Sequence, residues 1–498
     1  MSEPTSDGRW RGDSSGSRPG ENNPEYAPYT VNGKGPAIFG KELHVYLGFV
    51  VGAVLFFLMR DIPLLAAPLA LLIGIAAASA DFKASLIGYL AVAPILHPIF
   101  SVEIPGLPLM TYSRLLLAGI VLRILPYFHA LDVKRVRSFW LLFAFALSTA
   151  VTALLSDATV ANLNSTFAYL IEFLLVLVLV AAVMNRSDVE RMLKLIFVSY
   201  GIAVFFGLVE LVRGESLFLN LISEGSRVNA YEYAEEVDRV AGIGRLYSLF
   251  EHPFAFGNFS AIASLYALGF YFIYRSRSYL LLFCLGAFPV LFSFSRASLV
   301  FWILGSVTFL LLNGPASRRW MIRILPVAIL AGFLIVMATP LKEYFFGYFT
   351  QESVLSEGTG STVDARISDV SNALTYMSQK IGFGYGEKTV NANVELGRFL
   401  DIGYVESNMV RKALSFGLVG FVLWISYHVS ILRKLLKLPG VGRGDGGFQT
   451  TIAAVSIAVL INFLIHSVHS ALINEQLLVV LINIPFFSLD PTAFASST

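Results

Sequence analysis

The stretch PFAFGNFSAIASLYALGFYFIYRSRSYLLLFCLGAFPVLFSFSRAS, Pro253 to Ser298, decides the fold class. Two apolar runs, 254–274 and 279–294, flank the basic turn Arg275-Ser276-Arg277. Each run approaches the ~20 residues that carry a helix across a bilayer. A short basic connection marks the cytoplasmic side. Pro253 fits a first helical turn, where its missing N–H costs nothing. The stretch therefore reads as a membrane hairpin that opens and closes on the extracytoplasmic face.

The same pattern runs through the chain. Of 498 residues, 56% are hydrophobic and 14% charged. One soluble core cannot hide that much apolar surface, whereas a bilayer solvates it. Spans are expected at 43–59, 62–80, 83–100, 112–128, 138–155, 164–184, 195–212, 254–274, 279–294, 297–313, 322–340, 411–432, 450–470 and 474–489. The fold class is an all-α polytopic membrane protein of about 14 spans. Both termini are expected on the cytoplasmic side. The map then places Lys134 to Arg137, Arg186 to Lys194, Arg275 to Arg277, Arg318 to Arg323 and Arg433 to Arg443 in cytoplasmic connections, each with at least two Lys or Arg.

The expected organisation follows in order. A disordered cytoplasmic tail (1–42) precedes N-terminal membrane helices (43–212), an extracytoplasmic loop (213–253) and more membrane helices (254–340). A large extracytoplasmic loop (341–410), C-terminal helices (411–490) and a short cytoplasmic tail (491–498) complete it. Within the large loop, Ile367, Val370, Leu374 and Met377 recur at helical spacing, so 364–379 reads as an amphipathic helix. Ser361 or Thr362 would cap it. Its apolar face suits either the bundle or the headgroup zone. Gly382-Phe383-Gly384-Tyr385-Gly386 follows as a flexible turn.

A net charge of +2 says nothing for nucleic acid. No Walker-type loop, zinc-spaced His/Cys set or Gly-x-Ser-x-Gly elbow is present. Cys284, the one cysteine, reads as a small buried hydrophobe.

An extracytoplasmic face should be poor in Lys and Arg, so Arg227, Arg239, Arg245, Arg296 and Arg366 ask for a reason. Arg296, between two apolar runs, is either a snorkelling residue or a fork for phosphate oxygens. Arg245 pairs locally with Glu251 or binds an anion, and Arg366 faces the same choice beside Asp364 and Asp369. Glu251, Glu406, Asp364 and Asp401 are the outer carboxylates that can accept a sugar hydroxyl proton. His252 is an acid–base candidate or a structural residue, and His466 with His469 a further pair. Glu172 keeps a transporter reading open, and Glu210 reads as a pair with Arg213. Tyr233, Tyr247, Tyr385 and Tyr404 are outer-face aromatic residues whose rings can stack.

At these residues the chain resembles the O-antigen ligase/polymerase (Wzy and WaaL) superfamily. Four elements match in order: Arg245 to Asn258 around Pro253, Ser295-Arg296-Ala297, Arg366 through Gly384 and Gly386, and Glu406-Ser407-Asn408 before Phe416-Gly417-Leu418-Val419-Gly420. The resemblance covers about 240–425. Ligases of the family often carry His-Asn at the fourth element, where this chain has Ser407. That departure favours a polymerase.

The resemblance implies a GT-C-like bundle in a bacterial inner membrane and a polyprenyl-diphosphate-linked oligosaccharide donor on the outer face. A hydroxyl of a second lipid-linked repeat would attack the anomeric carbon and polyprenyl diphosphate would leave, without cofactor, metal or nucleotide. Arg245, Arg296, Arg366, Glu251 and Glu406 would be catalytic. Arg239, His252, Ser295, Gly384, Gly386, Asn408, Tyr247 and Tyr385 would bind substrate. A chain-length regulator and a flippase would be partners. An O-antigen ligase acting on lipid A-core and a lipid-linked oligosaccharide transporter are the alternatives.

Overall fold

The computed structural model describes residues 40–96, 100–102, 110–125, 139–168, 174–214, 239–240, 243–250, 252–315, 317–320, 322–323, 363–390, 407–438, 440–441, 447–467 and 475–487. The chain divides at Ile38. The first unit lies outside the described residues, as do most of the expected tail, the expected span 322–340 beyond Arg323, and the C-terminal tail.

Helices dominate. In chain order they are α1 (Lys41–Leu58), α2 (Pro63–Ala80), α3 (Phe82–Val92), α4 (Tyr112–Ile124), α5 (Trp140–Leu155), α6 (Thr159–Ala168), α7 (Val176–Val183) and α8 (Arg186–Arg213). There follow α9 (Pro253–Tyr274), α10 (Arg277–Leu285), α11 (Ala287–Phe292), α12 (Arg296–Leu312), α13 (Val363–Gln379), α14 (Asn408–Leu436), α15 (Phe448–His466) and α16 (Glu475–Phe487). Two antiparallel pairs of two-residue strands add Ser101–Val102 with Met110–Thr111, and Arg239–Val240 with Ile243–Gly244. Among the described residues six helices are long and apolar enough to cross a membrane: α1, α2, α8, α9, α14 and α15. Shorter apolar helices accompany them.

Several expected boundaries move. The basic stretch 186–194 is the start of α8, not a connection. Asn185 and Asp188 form a capping box there, and Gly214 closes the far end in the left-handed region. At 28 residues α8 outreaches the hydrocarbon, so its first turns can carry the Arg191–Glu42 and Lys194–Glu190 pairs. Of the expected span 164–184, α6 to Ala168 and α7 from Val176 to Val183 are described, and 169–173 lie outside the described residues. Cys284 is exposed rather than buried, because α10 buries none of its residues.

Close approach and a few buried polar ties hold the bundle. Gly74 and Gly119 let α2 and α4 touch backbone to backbone. Tyr46 shares a hydrogen bond with Ser199, whose hydroxyl also donates to the Ala91 carbonyl, joining α1, α3 and α8. The Tyr266 hydroxyl meets Ser456 and the Leu481 carbonyl, joining α9 to α15 and α16. With few apolar–water contacts to drive helix association inside a bilayer, such ties and tight packing are what remains.

Candidate functional site

Helix directions gather the candidate residues at one end. Contacts of Asn258 with Ser298, Ser264 with Trp302, and Leu265 with Gly305 show that α9 and α12 run parallel. Their N-termini therefore lie side by side. Tyr266 meets Ser456 and Gly269 meets Val455, so α15 runs antiparallel to α9 and its C-terminus shares that end. Ser467, just beyond α15, accepts from the Met409 amide at 2.9 Å and the Ser407 hydroxyl at 3.2 Å. The start of α14 is thus at the same end.

The first corner is built from caps. Glu210 is buried and its carboxylate accepts from the Tyr247 and Ser248 amides at 3.0 and 2.6 Å. The Ser248 hydroxyl donates to the Ala203 carbonyl, and the Leu246 amide to the Phe292 carbonyl. Ser248 has φ 53, a left-handed turn held by these bonds. The loop bearing Arg245 is so fixed to α8 and α11. The Arg245 guanidinium lies over the Phe254 ring at 5.8 Å.

His252 caps α9, its Nδ1 accepting from the Phe254 amide at 3.2 Å. Burial first, then the nearby Arg245 charge, lower its pKa to about 4. The ring is neutral at pH 7, and with Nδ1 accepting, the proton sits on Nε2. A neutral histidine with Nδ1 so engaged has an Nε2–H left to donate.

Ser295 caps α12 by accepting from the Ser298 amide at 3.1 Å. The Ser298 hydroxyl donates to Asn258 Oδ1 and lies 2.8 Å from both that atom and the Ser295 hydroxyl. Gly257 leaves no room for a Cβ against Ser293 and Ser298, which is what lets the two helix starts meet. Arg296 is the first residue of α12.

The second corner is built from backbone. Inside α14, Gly417 has φ 64 and ψ −171, which breaks the helix there. Such a conformation is essentially confined to glycine. The break frees backbone groups, and residues 381–386 take them. The Tyr385 and Gly386 amides donate to the Leu414 and Ser415 carbonyls at 3.0 and 2.8 Å. In return, the Leu418 and Val419 amides donate to the Ile381 and Gly382 carbonyls at 2.8 and 3.2 Å. The expected flexible turn is instead a clamp. Gly384 (φ 66) and Gly386 (φ 87) serve this approach, a Cβ on Gly384 meeting the Gly417 amide and one on Gly386 meeting Asn162.

Tyr385 and Tyr247 are buried, so their rings pack rather than offer a face to sugar. Tyr385 lies in a small core with Ala373, Val390 and Leu414. Asn408 is buried as the first residue of α14, and Ser407 caps that helix by accepting from the Val410 amide. Glu251, Glu406, Asp401, Glu172, His469, Arg227, Tyr233 and Tyr404 lie outside the described residues. Arg239, Arg296, Arg366 and His466 are placed by their backbone alone.

Sequence reading missed Asn162 altogether. Its buried amide donates to Ser156 and Thr389 and accepts from the Lys388 amide, tying α6 to the clamp. An asparagine in a ten-residue segment with no motif gives no signal. Glu210 reads from sequence as a partner of Arg213, whereas its carboxylate accepts from backbone amides. Buried Lys412, and Arg411 paired with Glu387 at 3.3 Å, lie one turn into α14. A small space among Phe145, Trp424, Tyr427, His428 and Phe463 lies further along α14 and is mostly apolar, unsuited to a diphosphate.

A comparison with curated proteins finds no match. Residues 262–425 match the family model Wzy_C, described as O-antigen ligase. The matched stretch takes in Ser295, Arg296, the helix α13 that carries Arg366, the clamp and the break at Gly417, and it starts just after Asn258. The protein is thus a helical membrane protein carrying a Wzy_C domain, which supports its place in the O-antigen ligase/polymerase superfamily.

Proposed function

We propose that the protein polymerises polyprenyl-diphosphate-linked oligosaccharide repeat units into a surface polysaccharide at the extracytoplasmic face of the inner membrane. One observation carries the reading: two parallel helices, α9 and α12, start side by side, with Arg245 and His252 before one and Arg296 opening the other. Helix N-termini carry positive partial charge and free amides. Adding guanidinium groups makes this end suited to a diphosphate.

The chemistry follows. A hydroxyl oxygen of the acceptor repeat attacks the anomeric carbon of the donor. The bond from that carbon to the diphosphate oxygen breaks, and the pair of electrons leaves with polyprenyl diphosphate. The hydroxyl proton passes to a carboxylate, Glu251 or Glu406, or to water. Arg245, Arg296 and Arg366 hold the charge that grows on the leaving group. The neutral His252 offers its Nε2–H to the same oxygens. Bond energy in the donor drives the step, so neither nucleotide nor metal is required. Fourteen spans, with both termini cytoplasmic, complete the proposal: a reporter fused after Ser356 reads extracytoplasmic and one after Arg443 cytoplasmic.

The second reading is a ligase, favoured by the description of the matching family. Against it stands Ser407, which caps α14 where a ligase would place a histidine. Loss of the protein separates the readings. A polymerase mutant leaves single lipid-linked repeats on the outer leaflet. Full-length polymer retained on its lipid carrier would mean a ligase, and repeats trapped on the inner leaflet would mean a transporter.

A further inference from the structure

The amphipathic helix α13 does not choose between the bundle and the bilayer. We infer that it binds both, and that its exposed apolar sector docks on the lipid surface beside α14. Three sectors run round the helix. Ala373 is buried, and Tyr376 and Met377 pack with it against Leu414 and Val410. Val370 and Leu374 are apolar yet exposed, and Ile381 in the following turn is exposed with them. Ser371, Thr375, Ser378 and Gln379 are exposed and polar. At ~100° per residue the apolar sector lies between the buried and the polar ones. A helix in the plane of a membrane surface, leaning on a protein wall, needs that order.

The occupant is set by what the sector joins. The clamp puts Ile381 and Gly382 against the Leu418 and Val419 amides. Leu418, Val419 and Val422 are themselves exposed, on a helix apolar enough to span. All six apolar residues are 40% to 57% exposed, so one apolar strip runs from the span onto α13. Depth agrees. The leg from Leu418 to Leu436, about 19 residues, matches the ~20 needed to cross the hydrocarbon. The leg before Gly417 carries Arg411 and Lys412, which belong above it. Gly417 thus lies at the boundary, and the clamp holds α13 at headgroup level. The consequence reaches the active end, since α13 also carries Arg366. Docking on lipid fixes that arginine at the depth where a lipid-linked diphosphate lies. The docking itself stands whether the enzyme is a polymerase or not.

The test uses full-length protein in nanodiscs of phosphatidylethanolamine and phosphatidylglycerol, with Cys284→Ala as background. Single cysteines at exposed positions, Leu374→Cys, Val370→Cys and Thr375→Cys, carry an environment-sensitive fluorophore. Lipids with a spin label just below the headgroup should quench positions 370 and 374 at least twofold more than 375. Iodide in the aqueous phase should quench 375 in preference. Iodide quenching of all three positions alike would overturn the inference. So would protection of 370 and 374 from both quenchers together with a cross-linked dimer, which would assign the strip to a second copy of the chain.

Discussion

The two corners of the polar end are held by different means. Around α9 and α12, side chains do the holding: Glu210, Ser248, His252 and Ser295 each satisfy a backbone group. Around α14, backbone bonds backbone across a broken helix, and glycines make the room. A side-chain cap tolerates replacement by another residue that caps. A backbone clamp has no such substitute. The corner carrying Arg245 and Arg296 should therefore accept conservative change, whereas the corner carrying the clamp should not.

Gly417→Ala is the most direct way to break that contrast. The new Cβ would strike Gly382 and demand a conformation closed to alanine, costing ~3 kcal/mol or more. Thermal unfolding in detergent should show a large drop, and an unchanged midpoint would mean the clamp does not matter. Arg296→Ala should act in the opposite way. We expect ~10²–10³-fold slower turnover with the melting temperature unchanged. A snorkelling arginine would leave turnover unchanged.

Glu210→Ala leaves the Tyr247 and Ser248 amides without their carboxylate and should cost ~1.5–3 kcal/mol. Arg213→Ala should do far less, because the carboxylate is bound to amides. Equal effects would restore the simple helix-end pair. The smallest effect tests the caps themselves. His252→Ala should cost ~1 kcal/mol, while His252→Asn, which also caps, should cost less. Acid sharpens this. With the folded pKa near 4, below the ordinary value of 6.5, the unfolded chain takes up the proton first. The stability tied to His252 is complete above 6.5 and lost as pH falls toward 4. His252→Asn should flatten that part of the stability profile.

The sequence shows the helices because apolar runs of span length have few other uses, and α9 and α14 differ from their expected spans by only a few residues. Basic charge misled at Arg186 to Lys194, where a capping box at Asn185 and Asp188 starts the helix earlier. At the polar end, Arg245, Ser295 and Asn408 were visible because polar residues at the edge of apolar runs stand out. The clamp was invisible. Its bonds are backbone to backbone between segments about thirty residues apart, and glycine-rich spacing alone reads as flexibility. Asn162 was invisible for a related reason: what it holds, Thr389 and the Lys388 amide, lies more than two hundred residues away.

The central claim is that this polar end transfers a glycan from a lipid diphosphate. Purified protein incubated with lipid-linked repeat unit, with no nucleotide or metal added, tests it most directly. A ladder of longer lipid-linked chains, lost in Arg296→Ala and Arg366→Ala of unchanged stability, is the predicted result. Well-folded wild type that yields no ladder, but carries the lipid-linked unit across a vesicle membrane, would contradict the account.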